Sequence, residues 1–210
     1  KDQSYVLYML KQEQLARLEL PIGDLGKDEV RSIATSLDLP VADKPDSVEI
    51  CFVPNNDYRS FVAERVELIP GDLKNQEGKI VGEHKGVPAY TIGQRKGLGD
   101  GFRERRYVTS LDAINNVVTI GDEDDLYSNF VEVAGVSWIS GRPPDFGTLL
   151  QAKARYGSEP EDAVIENINN SCATIRFQER QRALTPGQAI AFYDNDLVLG
   201  GGTIQKASRA

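Results

Sequence analysis

The first third of the chain carries hydrophobic residues at helical spacing. Four apolar residues recur at i, i+3, i+4 and i+7, the spacing of one face of an α-helix: Val30, Ile33, Ala34 and Leu37. Asp28 and Glu29 precede this face, where the helix dipole favours negative charge. Pro40 follows the face and is the expected stop. The pattern therefore predicts an amphipathic helix that ends before Pro40.

Two further helices are predicted in the same region. Residues 4–20 are rich in helix formers and are followed by Pro21. Residues 57–66 form a shorter candidate, in which three side chains would face inward: Tyr58, Phe61 and Val62. No helix is predicted beyond this point.

After Pro70 the pattern changes to short runs of β-type residues separated by Gly, Asn and Asp. Strands are predicted at 79–81, 107–111, 117–120 and 131–139. Residues 141–144, Gly-Arg-Pro-Pro, are interpreted as a connector. Further strands are predicted at 149–156, 163–168, 173–177, 189–193 and 198–204. Their spacing is typical of a small sandwich or barrel, and we expect a closed antiparallel β-barrel.

The composition is typical of a globular protein: of the 210 residues, 40% are hydrophobic and 27% are charged. The sequence contains neither the ~18 apolar residues of a membrane span nor a secretory leader, so a cytoplasmic protein is expected. Cys51 and Cys172 are too few for a disulfide framework and lack the paired spacing of a zinc site. Reduced thiols and no metal site are expected.

The net charge of −8 argues against a protein that wraps nucleic acid with a broadly basic surface. Any RNA contact must come from local patches. The best candidate by composition is 94–106, where two acids, Asp100 and Glu104, stand among five basic residues: Arg95, Lys96, Arg103, Arg105 and Arg106.

Cys51 is the strongest candidate for covalent chemistry. It lies in a polar stretch with several carboxylates and Lys44, where a thiol could act as a nucleophile if a cation lowered its pKa. The alternative is a small buried apolar residue, since Ile50 and Phe52 flank it. The residues alone leave both interpretations open.

Four ordered motifs resemble those of the tRNA-specific 2-thiouridylase family (MnmA/TrmU type). They are Lys1-Asp2-Gln3-Ser4-Tyr5, Gly23-Asp24-Leu25 with Lys27-Asp28-Glu29-Val30-Arg31, the stretch from Asp43 to Phe52, and Tyr90-Thr91-Ile92-Gly93-Gln94-Arg95-Lys96-Gly97-Leu98-Gly99. These motifs are spread over about half of the chain, so the resemblance is specific.

The resemblance implies a tRNA-uridine 2-sulfurtransferase. In this family the cysteine of Asp-Ser-x-Glu-Ile-Cys-Phe accepts sulfur as a persulfide, and Cys51 occupies that place. ATP, with Mg²⁺, adenylates the C2 oxygen of the wobble uridine in the anticodon loop, and the persulfide sulfur then displaces AMP. The implied partners are tRNA and a sulfur-donor protein.

The resemblance also implies tRNA contacts. The family's Lys-Asp-Gln element is Lys1, Asp2 and Gln3, and its Arg-Tyr pair is Arg155 and Tyr156. Its Pro-Gly-Gln turn ends here in Gln188. Arginine can hold phosphate and tyrosine can stack on a base, although Arg155 and Tyr156 could equally cover the barrel surface.

The family's Ser-Gly-Gly-x-Asp-Ser loop for ATP does not occur in the 210 residues, nor does its first catalytic cysteine. We therefore expect a C-terminal portion that is inactive alone, with the ATP site in a preceding part. The expected α+β fold has three domains. Residues 1–66 form the helical tail of a truncated nucleotide-binding (adenine-nucleotide hydrolase-like) domain, 67–140 a small β-rich central domain, and 141–210 the β-barrel.

Other conspicuous residues are given structural interpretations. Cys172 matches no catalytic position of the family, and His84, the sole histidine, has no neighbour in sequence that suggests a base or a metal ligand. The glycine clusters at 97–101 and 200–202 are interpreted as turns or bulges, because neither precedes an apolar helix that could aim amides at a phosphate.

Two rival functions remain. One is a non-catalytic RNA- or protein-binding barrel module in which Cys51 is incidental. The other is a thiol-dependent redox enzyme, which is disfavoured because no resolving cysteine lies near Cys51 in sequence.

Overall fold

The computed structural model describes residues 3–44, 53, 57–99, 102, 104–155 and 157–209. Within these ranges the α-helices are α1 (Gln12–Leu15), α2 (Lys27–Ser36) and α3 (Tyr58–Ala63). Single turns of 3-10 helix occupy Val87–Ala89 and Asp124–Leu126, and a longer one, the N-terminal 3-10 helix, spans Ser4–Met9. No helix among the described residues is both long and apolar enough to span a membrane.

The described strands form two sheets. The central sheet contains β1 (Gly71–Lys74), β2 (Ile80–His84), β3 (Tyr107–Asp112) and β4 (Val117–Gly121) in the order β2-β1-β4-β3. The barrel contains β5 (Tyr127–Trp138), β6 (Leu149–Lys153), β7 (Glu161–Asn169), β8 (Cys172–Arg182), β9 (Ala189–Asp194) and β10 (Leu197–Ser208). It closes in the order β10-β5-β8-β7-β6-β9, with every pair antiparallel. The α+β class and the C-terminal antiparallel barrel are confirmed.

The helical predictions are confirmed in part. Helix α2 forms as predicted, but it ends before Pro40 has any effect, because Asp38 already takes a left-handed backbone at φ 50°. The helix predicted over 4–20 is wrong: Leu10 is extended and separates the N-terminal 3-10 helix from α1. Helix α3 begins after Asp57, whose side chain accepts a hydrogen bond from the Ser60 amide. Tyr58 does not face inward, since 47% of it is exposed.

The central sheet has one pairing that the sequence pattern did not predict. Strands β1 and β4 run parallel, with Asp72 opposite Val117, while β1–β2 and β3–β4 are antiparallel. Apolar residues from the strands and the following loop form its core: Leu73, Val87, Leu98, Val108, Val118 and Ile120. The side-chain amide of Asn116 donates to the carbonyls of Ile69 and Pro70, at 3.2 and 2.9 Å. This contact fixes the start of β1 beside the β3–β4 turn.

The barrel core is built by alternation. Inward residues from all six described strands pack together, including Val131, Ala152, Ile165, Ile175, Phe192 and Ile204. Strand β5 pairs with both β8 and β10, so residues 127–138 belong to the barrel although we grouped them with the central domain. Residues 141–144 accordingly join two barrel strands and are not an interdomain connector. The division into three domains stays a proposal.

The N-terminal 3-10 helix packs on the outside of the barrel. The ring of Tyr8 lies over the backbone of Gly201, where a Cβ would come within 2.7 Å of its Cγ. The hydroxyl groups of Ser4 and Tyr193 are 3.4 Å apart, and the Gln12 side chain donates to the Ile139 carbonyl at 3.3 Å. Residues 200–202 are therefore in a bulged strand that a helix crosses closely, in agreement with the predicted bulge.

Candidate nucleic-acid interface

A cleft of about 390 Å³ opens where the N-terminal 3-10 helix meets the barrel. It is lined by Tyr5, Lys153, Ala154, Arg155, Gly157, Gln188 and Ala189. We call it the Arg155 cleft. It brings together Arg155 and Gln188, two residues that are 33 positions apart in the sequence, with Tyr5 from the opposite end of the chain.

Strand β6 positions Arg155 through its alternation. Leu150, Ala152 and Ala154 are buried, with Leu150 and Ala152 at 3% and 1% exposure in the barrel core. The intervening Gln151 and Lys153 are half-buried on the outer face, and Arg155 continues that face as an exposed residue. A turn then follows, in which the Arg155 carbonyl accepts from the amide and hydroxyl of Ser158, at 3.2 and 3.0 Å.

Backbone hydrogen bonds to β10 fix the turn that carries Gln188. The Gly187 amide donates to the Ile204 carbonyl at 2.8 Å, and the Ile204 amide donates back to the Gln188 carbonyl at 2.9 Å. Gly187 has φ 89°, a backbone conformation that favours glycine. The Gln188 side chain is left exposed at the edge of the cleft.

Among the described residues, no acidic side chain pairs with the positive charge that lines the Arg155 cleft. Neither Lys153 nor Arg155 forms an ion pair within 4 Å with any residue that the structure describes. Guanidinium and ammonium groups in this state are suited to phosphate, and the amide of Gln188 can both donate and accept.

A second, larger cleft of about 1020 Å³ adjoins the first and shares Lys153 and Gly157 with it. Ser4, Gln151 and Tyr193 contribute to its wall. Two acids, Glu159 and Asp196, also line it. We call it the Asp196 cleft. Its mixed charge makes it a poorer phosphate site than the Arg155 cleft.

Three consecutive family models match the chain. They are the tRNA methyl transferase HUP domain at residues 1–55, the tRNA methyl transferase PRC-barrel domain at 59–122, and the aminomethyltransferase beta-barrel domain at 128–204.

A tRNA-specific 2-thiouridylase MnmA 1 of Thermoanaerobacter sp. is 45% identical over the whole chain. The 2-thiouridylases MnmA of Desulforamulus reducens and Carboxydothermus hydrogenoformans are also 45% identical, each over 98% of the chain. The chain belongs to the tRNA-specific 2-thiouridylase family. It spans 57–58% of the length of these relatives.

The 2-thiouridylase motifs map unevenly onto the described residues. Gln3 is described and exposed, immediately before the N-terminal 3-10 helix. Arg155 and Gln188 line the Arg155 cleft. Cys51, Lys1, Asp2 and Tyr156 lie outside the described residues. Lys153 and Tyr5 also line this cleft and were not predicted from the sequence, although the i, i+2 spacing of Lys153 and Arg155 on a predicted strand was a signal for Lys153.

The basic stretch at 94–106 is less available to RNA than its composition indicated. Arg106 forms ion pairs with Asp122 and with Glu104, the latter at 3.2 Å. Arg95, Lys96 and Arg105 remain exposed, while Asp100 and Arg103 lie outside the described residues. The Thr-Ile-Gly-Gln motif of the family folds back on β3, because the Val108 carbonyl accepts from the Gly93 amide at 2.8 Å.

His84 and Cys172, the other two residues considered for chemistry, lie in different surroundings. His84 is 1% exposed; its Nδ1 accepts from the Gly86 amide at 3.0 Å, so Nε2 carries the proton and donates to the Asn116 carbonyl at 3.0 Å. Cys172 is an exposed free thiol at the start of β8. Over the described ranges, no three His, Cys, Asp or Glu side chains are grouped so that they could hold a metal ion.

Proposed function

We propose that the whole protein is a tRNA-uridine 2-sulfurtransferase, and that this chain holds the anticodon region of tRNA across the Arg155 cleft. The observation that carries the proposal is the meeting of Arg155, Gln188 and the segment after Gln3 at one cleft. These residues come from three separate motifs that resemble tRNA-contacting motifs of the family. The names of the 45% identical relatives support the same activity.

The charge distribution supports RNA as the ligand of this cleft. With a net charge of −8, the 210-residue chain as a whole repels a polyanion, so affinity of this chain must come from cations that have no acidic partner. Arg155 and Lys153 meet that condition among the described residues. Tyr156 follows Arg155 directly and is proposed to stack on a base. A cytoplasmic location, where tRNA is found, is part of the proposal.

Cys51 is proposed to carry the transferred sulfur as a persulfide: its thiolate would attack the outer sulfur of a persulfide on a sulfur-donor protein, and the thiol of the donor would leave. Its support is the sequence Asp46-Ser47-Val48-Glu49-Ile50-Cys51-Phe52, which matches the family's persulfide motif, and family membership itself. Cys172 has no such motif and begins a strand of the barrel. The persulfide role requires a reachable thiolate, because the thiolate is the form that attacks sulfur.

ATP use, with Mg²⁺, is proposed for the whole protein, but the residues described here do not fit a nucleotide. Gly200–Gly202 belong to β10 and pair with β5 and β9, while Tyr8 packs against Gly201 and Val133 against Gly202. Gly97 and Gly99 flank the buried Leu98, and the next element among the described residues is the strand β3. We therefore expect the 210-residue chain alone to bind tRNA without thiolating it, and AMP release with tRNA would contradict this.

Binding of anticodon stem-loop RNA by the 210-residue chain tests the interface. Arg155→Gln is expected to lower affinity and to reduce the salt dependence by about one phosphate contact, a slope change of roughly 0.7 to 0.9. Arg142→Gln removes the same charge from an exposed residue between β5 and β6 that lines neither cleft, and serves as the control. Equal effects of the two substitutions would reject the cleft as the binding site.

A further inference from the structure

Among the described residues, Lys153 is the one basic residue that lines both clefts, and it is not among the family motif residues named above. It ends β6, and its side chain is half-buried on the outer face of the barrel. Alternation places it on the same face as Arg155, two residues further along. Arg155 itself lies in the bend just after β6, so their Cα atoms are at most about 7 Å apart.

Strand β9 lies beside β6, and the N-terminal 3-10 helix covers its outer face next to Lys153. Lys153 is opposite Ala191 in β9, and Gln151 is opposite Tyr193. Ala191 and Tyr193 point away from the barrel core yet are 2% and 4% exposed, because the N-terminal 3-10 helix covers them. The helix therefore forms a wall, and the outer face of β6, with Gln151, Lys153 and Arg155, forms a floor beside it.

Charge determines which way a polyanion can lie on this floor. Lys153 and Arg155 both line the Arg155 cleft. Glu159 and Asp196 line the adjoining Asp196 cleft. No ion pair within 4 Å joins Lys153 to either acid or to another described residue. A phosphate backbone is thus attracted at the Lys153–Arg155 end and repelled at the Asp196 end.

We infer that Lys153 is a second phosphate contact for tRNA, and that Lys153 and Arg155 together hold two phosphates of one extended RNA strand. The inference rests on the proposed function, since it concerns the same ligand. It adds a positioning residue: two cations, one at the end of β6 and one in the bend just after it, fix the direction of the RNA backbone as well as its position, which a single arginine cannot do. Gln188 then faces the sugar or base of the strand that the cations hold.

The experiment measures affinity for anticodon stem-loop RNA at 50 and 200 mM salt. Each phosphate contact changes the ratio of the two association constants by roughly threefold. Lys153→Gln is expected to lower that ratio about threefold and Lys153→Gln with Arg155→Gln about ninefold. Lys153→Arg is expected to retain it. Lys79→Gln, in the exposed turn between β1 and β2, removes the same charge outside the barrel and is expected to leave the ratio unchanged.

The outcomes separate the inference from the function on which it rests. If Arg155→Gln lowers the ratio and Lys153→Gln does not, the second contact is wrong and the interface stands. If Lys79→Gln lowers the ratio as much as Lys153→Gln, the effect is one of net charge and the inference also fails. If the unsubstituted chain binds no RNA, the proposed function fails first. Lys153 faces outward, so unchanged thermal unfolding is expected to accompany the loss of binding.

Discussion

The hydroxyl groups of Ser4 and Tyr193 lie 3.4 Å apart, although 189 positions separate these residues in the chain. The contact joins the segment after the Lys-Asp-Gln element to β9 of the barrel. Because of it, one wall of the cleft belongs to the first family model and the floor to the last. The interface therefore depends on docking of the N-terminal 3-10 helix as well as on the barrel.

Tyr8→Ala is expected to loosen this docking, because the Tyr8 ring packs directly over Gly201. Loss of part of an aromatic contact should destabilise the docked segment by about 1 kcal/mol. RNA affinity should fall while the barrel stays folded. Hydrogen exchange of the amides at 4–9, measured beside RNA binding, checks both effects. Tyr58→Ala, at an exposed tyrosine outside the barrel, is the control. Full protection of the segment in Tyr8→Ala would contradict the role given to this contact.

The barrel could be predicted from sequence because its strands follow the two-residue period of a half-buried sheet. Ala163, Ile165, Ala173, Ile175 and Phe177 are in the core and alternate with less buried residues. Helix α2 was equally predictable from its 3.6-residue period. In both cases local pattern and burial agree.

The parts that could not be predicted depend on contacts between distant residues. Residues 4–20 have helical propensity. Ser4 and Tyr8 pack on the barrel, and the 3-10 helix that contains them ends before Leu10, where the backbone is extended. The parallel pairing of β1 with β4 leaves no signal in either strand. Clustering of Tyr5, Lys153 and Gln188 likewise follows from closure of the barrel and docking of the N-terminal 3-10 helix. The sequence therefore indicated Arg155 and Gln188 as single residues, without their common cleft.

His84→Leu is expected to destabilise the central sheet by about 2–3 kcal/mol. The buried imidazole joins the Gly86 amide to the Asn116 carbonyl, and leucine would leave both groups without a partner. His84→Gln keeps a donor and an acceptor and should recover part of the loss. Chemical unfolding of the three proteins gives the comparison. RNA binding by the folded His84→Leu protein should be unchanged, and a selective loss of binding would give His84 a role beyond structure.

Asp112 makes the stability of the β3–β4 turn depend on pH. Hydrogen bonds from the Asn115 side chain, then from the backbone amides of Asn115 and Ile114, lower the pKa of Asp112 below its usual value. A lowered pKa in the folded state stabilises the protein above the unfolded pKa of ~3.9, and this stability is lost as pH falls through the folded value. Asp112→Ala should therefore lower the melting temperature at neutral pH, and the difference should close in acid. A difference independent of pH would exclude a contribution from the charge.

Cys51→Ser in the full-length protein gives the most direct test of sulfur transfer. Serine has nearly the same volume, so folding and tRNA affinity should be almost unchanged. Formation of 2-thiouridine should fall to background, because a serine oxygen cannot hold a transferable sulfane sulfur. Cys172→Ser, at the exposed thiol of β8, is the matched control and should retain activity. Mass spectrometry of the nucleosides from treated tRNA measures the product.

The mass of the intact protein after incubation with a persulfide donor shows whether a variant has lost the sulfur-accepting thiol or only a later step of the reaction. The unsubstituted protein should gain one sulfur atom that dithiothreitol removes, and Cys51→Ser should not. Cys172→Ser should gain it normally, since the proposal places the persulfide on Cys51 alone. If Cys51→Ser still makes 2-thiouridine, Cys51 leaves the mechanism, and the chain is better described as an RNA-binding module. If it gains no sulfur and makes no product while binding tRNA normally, the persulfide must form on Cys51 before the base is attacked.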